Sequence, residues 1–172
     1  MRKYFLISFL FVSCVAFSQK PKEIGASYYK TFGQNFKGNL AGGSYASYNN
    51  KSSWNITLTY NFSAKSTYSQ YKGFGLAAGY RYAITQSTKG SGIFAGAKVF
   101  LLFDNYAGKT TKNSFAILPM AEAGYHFVFK THYFASPQIG YGYTLKVSKD
   151  YNSLDEDAGQ RYIGGLSLGY RF

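Results

Sequence analysis

The sequence predicts an all-β protein: a closed antiparallel up-and-down transmembrane β-barrel of eight strands, preceded by a cleavable signal peptide. Three observations lead to this prediction. The chain begins with basic residues and an apolar segment, and in several later stretches apolar and polar residues alternate. Aromatic residues make up 20% of the 172 residues and charged residues only 15%, against a usual share of about 25%. No apolar run of about 18 residues follows the N-terminal segment, so strands rather than helices would cross a membrane.

Residues 1–18 have the three parts of a secretory signal peptide. Arg2 and Lys3 form the basic start, residues 4–15 the apolar stretch, and residues 16–18 (Ala-Phe-Ser) the small-residue cleavage site. The apolar stretch is shorter than the roughly 20 residues that a membrane helix needs. We therefore expect residues 19–172 to form the barrel domain.

Cys14 is the only cysteine. Cleavage after Ser18 would remove it and leave a mature chain without disulfide or thiolate chemistry. Lipoprotein processing at Cys14 is the alternative, and the bulky Phe11 three residues earlier argues against it.

The formal net charge is +12 and falls to +10 once Arg2 and Lys3 are removed with the signal peptide. A basic chain invites a nucleic-acid interpretation. The lysines and arginines are scattered, however, and export removes the protein from cytoplasmic nucleic acid. We expect no nucleic-acid partner and interpret the charge as a basic surface among anionic outer-leaflet lipids.

Alternation with a period of two marks the strands. It recurs at residues 71–84, 92–104, 114–129, 132–147 and 161–172, and more weakly at 22–32 and 39–49, where the facing of the last segment is ambiguous. Pro119 and Pro137 lie inside two segments, and we expect a bulge or a local kink at each. The clearest segment places Trp54, Ile56, Leu58, Tyr60 and Phe62 on one face and Asn55, Thr57, Thr59 and Asn61 on the other.

Volume decides which face points outward. The interior of an eight-stranded barrel is just wide enough to be filled by side chains, and the apolar face offers about five large ones per strand. We therefore expect the apolar face to contact lipid, and the face of small and polar residues to line a narrow lumen. A soluble lipocalin-like barrel with the opposite facing is the alternative that this argument disfavours.

The two ends of the barrel follow if the N-terminus starts in the periplasm. Short turns around residues 49–51, 85–90 and 130–131 would then be periplasmic, and longer loops around 33–38, 63–70, 105–113 and 148–160 external. Aromatic residues would form a girdle at each interface. The periplasmic girdle would hold Trp54, Tyr80, Tyr82, Phe127, Phe129, Tyr133, Tyr170 and Phe172, and the external girdle Phe62, Phe103, Phe115, Tyr143 and Tyr162.

The last strand carries the most specific pattern, with apolar residues or glycine at alternate positions from Tyr162 to the terminal Phe172. With this pattern the chain resembles the small outer-membrane β-barrels of the OmpA transmembrane domain and OmpX type over essentially its whole mature length. The resemblance implies a signal for the barrel assembly machinery, carried by Leu166, Leu168, Tyr170 and Phe172. An ordinary amphipathic strand that happens to end in phenylalanine is the alternative. The resemblance is architectural and implies no single activity.

No catalytic motif stands out, and we expect no catalytic residue, metal site or cofactor. Glu122 and His126 are four residues apart in one strand, too far for an easy direct hydrogen bond. Some eight-stranded barrels modify lipid A near the external end, whereas His126 and His132 fall near the predicted periplasmic end. The acidic loop with Asp150, Asp155, Glu156 and Asp157 matches no EF-hand, and we interpret it as a solvated external loop.

The lumenal face carries more cations than carboxylates. Burial of these charges in a narrow lumen requires pairing, so we expect an ion-pair network that plugs the barrel, with Arg81 and Lys98 as partners of Glu122. An anion-selective pore is the alternative interpretation. The predicted lumenal charges are Glu23, Arg81, Lys98, Glu122, Lys146, Arg161 and Arg171.

Together these features predict a non-enzymatic integral protein of the bacterial outer membrane. The barrel would be a structural scaffold in contact with outer-membrane lipid and lipopolysaccharide, and its external loops would make surface contacts or mediate adhesion. A lipid A-modifying outer-membrane enzyme and a narrow anion-preferring channel are the two alternatives.

Overall fold

The computed structural model describes residues 20–33, 36–66, 70–87, 90–107, 112–147 and 159–172. The predicted signal peptide, Cys14 and the acidic loop lie outside these residues. Eight strands fill the described chain, in agreement with the predicted fold class. They are β1 (Lys22–Phe32), β2 (Phe36–Asn49), β3 (Ser52–Ser66), β4 (Gln70–Ala83), β5 (Gly92–Ala107), β6 (Lys112–Phe129), β7 (Tyr133–Lys146) and β8 (Gly159–Arg171).

Each strand pairs antiparallel with the next, and β8 pairs with β1 to close the barrel. The stagger of the barrel can be read from its pairs. The partner of Lys22 in β2 has its own partner in β3, and this path continues through β8 and returns to β1 at Phe32, ten residues after Lys22. A barrel closed with such a stagger needs strands tilted by roughly 40° to its axis. We call the end at which β1 begins and β8 ends the terminal end, and the opposite end the loop end.

The outside of the barrel is apolar and the inside largely polar, as predicted from volume. Leu58 and Ile139 are 61% and 72% exposed, whereas their lumen-facing neighbours Thr57 and Gln138 are buried. The same alternation recurs in the other strands and is least clear in β2. Among the described side chains, thirty large apolar ones are exposed, including all the residues of both predicted aromatic girdles except Phe115, which is half-buried. Such an exterior suits lipid rather than water.

The facing of β2, ambiguous in the sequence, is settled by its contacts. Leu40 is buried in the lumen. Asn39 faces outward and accepts a hydrogen bond from the Tyr28 hydroxyl at 2.6 Å. Tyr45 also faces outward, with its ring 5.4 Å from that of Trp54.

The prediction of a bulge at each proline is wrong. Pro119 pairs with Val99 and Pro137 with Leu166 without any shift of register. The β6–β7 pairing instead has two gaps, at residues 118–119 and 125–126, and the register is the same on both sides of each gap. A local loss of pairing is enough to accommodate a residue that lacks the N–H donor. The two register shifts among the described pairs lie in β3 and its partner β2, near the loop end.

The predicted contrast between short turns and long loops is weaker than expected. The strands extend further toward the loop end, so that only residues 33–35, 67–69 and 108–111 lie between the strands there, and residues 147–158 form the one long connection. At the terminal end, residues 84–91 separate β4 from β5. Strand pairing continues beyond the alternating segments because backbone hydrogen bonds do not depend on which face is apolar.

The lumen also contains an apolar layer that the sequence did not predict. It lies between the middle of the barrel and the loop end, and Leu102 packs against it. β5 and β6 supply three of its seven residues, because both strands contain apolar runs that put large residues on both faces. The layer consists of Tyr29, Leu40, Ala77, Phe100, Leu118, Met120 and Ile163.

Candidate functional site

The centre of the lumen holds a three-residue charge cluster. Arg81 Nε of β4 lies 2.6 Å from Glu122 Oε1 of β6, and Lys98 Nζ of β5 lies 3.0 Å from Glu122 Oε2. The side chains of Glu122 and Lys98 are 1% and 0% exposed. We call Arg81, Lys98 and Glu122 the central cluster. It brings together the three residues that the sequence analysis proposed as partners.

A glycine makes the central cluster possible. Gly96 pairs with Arg81 on one side and with Glu122 on the other, so the three residues form one row across β4, β5 and β6. The arginine side chain crosses above Gly96 to reach the carboxylate two strands away. A Cβ at this position would clash with the Tyr80 carbonyl oxygen and lie 3.1 Å from Arg81 Cγ. Glycine is the residue that permits such a close approach.

Polar and aromatic groups surround the cations of the central cluster. Lys98 Nζ donates a hydrogen bond to the Tyr29 hydroxyl at 3.3 Å and lies 5.2 Å from the centre of that ring. Arg81 donates a hydrogen bond to Gln138 Oε1 and stacks over Phe94 at 4.4 Å. Buried charges are tolerated only when they are paired and hydrogen-bonded. Tyr29, Phe94 and Gln138 supply that support from three different strands.

A second cluster lies toward the terminal end. Arg171 Nε of β8 donates to Glu23 Oε1 of β1 at 2.8 Å, and the two residues are direct partners in the sheet. The Tyr48 hydroxyl donates to Glu23 Oε2 at 2.7 Å. His126 Nε2 lies 2.9 Å from Glu23 Oε1 and 3.1 Å from Arg171 Nη2. We call Glu23, Tyr48, His126 and Arg171 the terminal cluster.

The other two predicted network residues belong to neither cluster. Arg161 is buried on the loop side of the apolar layer, where its Nε donates to Thr144 Oγ1 at 2.9 Å. Lys146 is half-buried at the loop end of β7. The structure therefore separates the predicted lumenal charges into a central cluster, a terminal cluster and a loop-end pair of basic residues.

Two polar cavities lie between the terminal end and the central cluster. One has a volume of ≈ 330 Å³ and is lined mainly by hydroxyl and amide side chains, including Ser27, Thr57 and Asn55. The other, of ≈ 380 Å³, lies at the terminal end beside the β2–β3 and β4–β5 connections. Arg81 and Tyr48 line both. Part of each volume is open to solvent.

The histidines do not form a nucleophilic site with Glu122. The carboxylate that contacts His126 is Glu23, which comes from across the lumen, and Glu122 is occupied by Arg81 and Lys98. His132 lies in the exposed β6–β7 connection, where its Nδ1 is 3.0 Å from Thr131 Oγ1. Within the described residues no group of three potential ligands could hold a metal ion. No described helix is long and apolar enough to cross a membrane.

The four residues of the predicted assembly signal lie on the outer surface. Leu166, Leu168, Tyr170 and Phe172 are 41–52% exposed, Leu166 being the least and Phe172 the most exposed. The backbone of Phe172 forms two hydrogen bonds with Lys22, each 2.9 Å long. The last residue therefore takes part in closing the barrel through its backbone, while its side chain is left on the exterior.

Sequence reasoning missed several residues of the site. Tyr48 falls in the strand whose facing was ambiguous, and Gln138 and Tyr29 have no charge to draw attention to them. The contact between His126 and Glu23 joins β6 to β1, which are not adjacent. Among the missed residues, a usable signal was present for Gly96, which lies between Arg81 and Glu122, since consecutive antiparallel strands can be aligned by their alternation.

Comparisons with known proteins give matches only at the level of structure. No protein-family model matches the chain, and no curated protein is significantly similar to it. The N-terminal β-barrel domain of Pseudomonas aeruginosa OprF matches with a TM-score of 0.58 at 15% identity, covering 90% of this chain and 100% of the other. Neisserial surface protein A matches with a TM-score of 0.59 at 18% identity, covering 90% and 96%.

A third match is Ail, the attachment invasion locus protein of Yersinia pestis, solved in complex with the heparin analogue sucrose octasulfate. Its TM-score is 0.55 at 14% identity, and the match covers 90% of this chain and 100% of the other. All three are bacterial outer-membrane β-barrel proteins. At such identities the likeness concerns the fold. With its closed eight-strand topology and apolar exterior, the chain has the fold of the small eight-stranded β-barrels of the bacterial outer membrane, in agreement with the predicted fold class.

Proposed function

We propose that the protein is a non-enzymatic scaffold of the outer membrane with a closed lumen, and that its external loops make surface contacts or mediate adhesion. The observation that carries this proposal is the central cluster with the apolar layer directly beside it. Lys98 touches both, through Glu122 on one side and the Tyr29 and Phe100 rings on the other. Ions would have to break a buried ion pair and then cross a layer of packed apolar side chains.

The alternative of an anion-preferring channel predicts a different electrical behaviour. We expect the refolded protein in planar lipid bilayers to show no stable single-channel steps, because the apolar layer offers an ion no polar contact in place of water. Conductance recordings across a range of voltages check this. The matched control is the Phe100→Ser, Leu118→Ser double variant, which should conduct more often than the wild type. Stable anion-selective steps in the wild type would contradict the closed-lumen proposal.

A lipid A-modifying activity is the second alternative. A hydrolytic site needs a nucleophile within hydrogen-bond reach of its base. His126 Nδ1 has no hydrogen-bond partner among the described residues, which supports a non-enzymatic role. We expect lipid A from cells that express the wild type to have the same mass spectrum as lipid A from cells with His126→Ala. A mass difference between the two would instead support the enzyme.

The loop end is proposed to face outward from the cell. In that orientation Lys30 and Lys72, both exposed on the lipid-facing side near the loop end, would lie near the phosphates of lipopolysaccharide. Lys30 Nζ lies 5.4 Å from the Phe32 ring, so its stem runs along the surface with the ammonium group at the interface. The long β7–β8 connection would then be external. Its replacement by a short turn should preserve the barrel and abolish adhesion of expressing cells, if the loop carries that role.

We further propose that the barrel assembly machinery recognises Phe172. The side chain of Phe172 is half exposed, and only the backbone of Phe172 forms the closing hydrogen bonds with Lys22. The side chain is therefore available for recognition, which supports this proposal. Phe172→Ala should therefore refold in vitro like the wild type and accumulate several-fold less in the outer membrane of growing cells. Phe129→Ala is the matched control, an aromatic residue of similar exposure at the same end. Equal accumulation of both variants in cell fractionation would contradict the proposal.

A further inference from the structure

The cavity at the terminal end is not needed to close the lumen and has the character of a binding pocket. Its ≈ 380 Å³ are bordered by Asn50, Lys51 and Gln86 in the connections, by Ser53 and Tyr48 in the strands, and by Arg81 and His126 from the two charge clusters. We call it the terminal chamber.

The wall of the terminal chamber is cationic. Lys51 and Arg81 belong to it, and Arg171 lies directly behind Gly90, where a Cβ would collide with its Nη1 atom. Gly90 has φ = 85°, so glycine is favoured there by its backbone conformation as well as by the space that the guanidinium occupies. None of the residues that the structure describes along this wall is an aspartate or a glutamate.

A buried nitrogen of a residue that lines the chamber is left open to a ligand. The His126 side chain is 7% exposed, and its Nε2 contacts Glu23 and Arg171. Its Nδ1 is buried and has no hydrogen-bond partner among the residues that the structure describes. The ring is held in place by Tyr48 and Phe134, whose centroids lie 5.6 and 5.5 Å away. Because a buried polar atom normally has a partner, a ligand oxygen in the chamber would supply the hydrogen-bond partner that His126 Nδ1 lacks.

We propose that the terminal chamber binds a small oxyanion, a carboxylate or a phosphate group, which reaches it from the terminal end. Lys51 supplies one positive charge, and the central cluster behind Arg81 supplies another, because Arg81 and Lys98 share the single carboxylate of Glu122. Ser53 and Gln86 supply hydrogen bonds, and His126 lies on the inner side. The chamber is a blind pocket, since the central cluster and the apolar layer lie beyond it. This binding function is additional to the scaffold role and does not depend on it.

Inorganic phosphate is the probe that tests the proposal. The full mature chain, labelled with ¹⁵N and refolded in zwitterionic detergent micelles, is titrated with phosphate and followed by NMR. The amide signals of Lys51, Gly90 and Gly92 should shift saturably, and those of Thr144 and Gly159 at the loop end should not move. Absence of saturable shifts at the chamber, or equal shifts at both ends, would overturn the proposal.

Two lysine variants distinguish a pocket from a merely basic surface. Lys51→Gln removes a cation from the chamber wall without touching either ion-pair cluster, and should weaken phosphate binding about five-fold. Lys130→Gln removes an equally exposed lysine from another turn at the same end and should leave binding unchanged. A similar loss in both variants would show attraction by net charge and contradict the pocket.

The oxyanion could come from a soluble ligand or from a lipid headgroup, and one comparison separates the sources. The protein is placed in nanodiscs in phosphate-free buffer, with phosphatidylcholine alone or with added phosphatidylglycerol. Chamber amides that shift only when phosphatidylglycerol is present identify the headgroup of an anionic lipid as the ligand. Chamber amides that shift only with free phosphate identify a soluble anion. Chamber amides that respond to neither source contradict the proposal.

Discussion

Replacement of Glu122 by leucine should lower the free energy of unfolding by about 3–5 kcal/mol, the cost of leaving buried charges without a partner. Arg81 and Lys98 both direct their charge at this carboxylate, and the side chain of Lys98 is fully buried. Urea unfolding of the refolded protein in lipid vesicles measures the effect. Trp54, the only tryptophan, faces the lipid and reports the transition by fluorescence.

A triple variant provides the control for this prediction. Arg81→Met, Lys98→Met and Glu122→Leu together remove the whole central cluster and leave no unpaired charge. Buried ion pairs replaced by apolar residues of similar volume often cost little stability, so the triple variant should recover most of the loss. If the single variant does not refold, the triple variant still tests the prediction. A triple variant as unstable as Glu122→Leu would show that the cluster stabilises by packing rather than by charge compensation.

Ile139→Arg should destabilise the protein in a bilayer by about 2–4 kcal/mol, the cost of a cation on the lipid face at the bilayer midplane. Ile139 is 72% exposed and lies halfway along β7. An arginine there would have to leave water for hydrocarbon, with no lumenal carboxylate on its side of the sheet. The same urea titration in vesicles measures the difference.

Tyr133→Arg is the matched control for the lipid-facing prediction. Tyr133 begins β7, lies on the same face as Ile139 and is 57% exposed. At an interface the same substitution should cost only about 0–1 kcal/mol. Equal losses for both positions would mean that depth in the membrane does not matter, which contradicts the lipid-facing assignment of this surface.

The strand pattern and its facing could be predicted because they depend on local alternation. Each side chain of β3 from Trp54 to Phe62 faces the side that its polarity indicates, since a one-residue slip would put the whole apolar set into the lumen. The partners of Glu122 were also predictable, because Arg81 and Lys98 lie on the two preceding strands. The bulges predicted at Pro119 and Pro137 were wrong, because the sheet lacks pairs there and keeps its register.

The sequence by itself determined the eight-stranded barrel, its apolar exterior and the excess of cations in its interior. Only the tertiary structure decided how the interior is divided. The contact of His126 with Glu23, the apolar layer around Phe100 and the terminal chamber all join residues from strands that are not neighbours. These contacts depend on the closure and stagger of the whole barrel. Alternation along one strand fixes which face a side chain occupies, whereas closure fixes which side chains meet across the lumen.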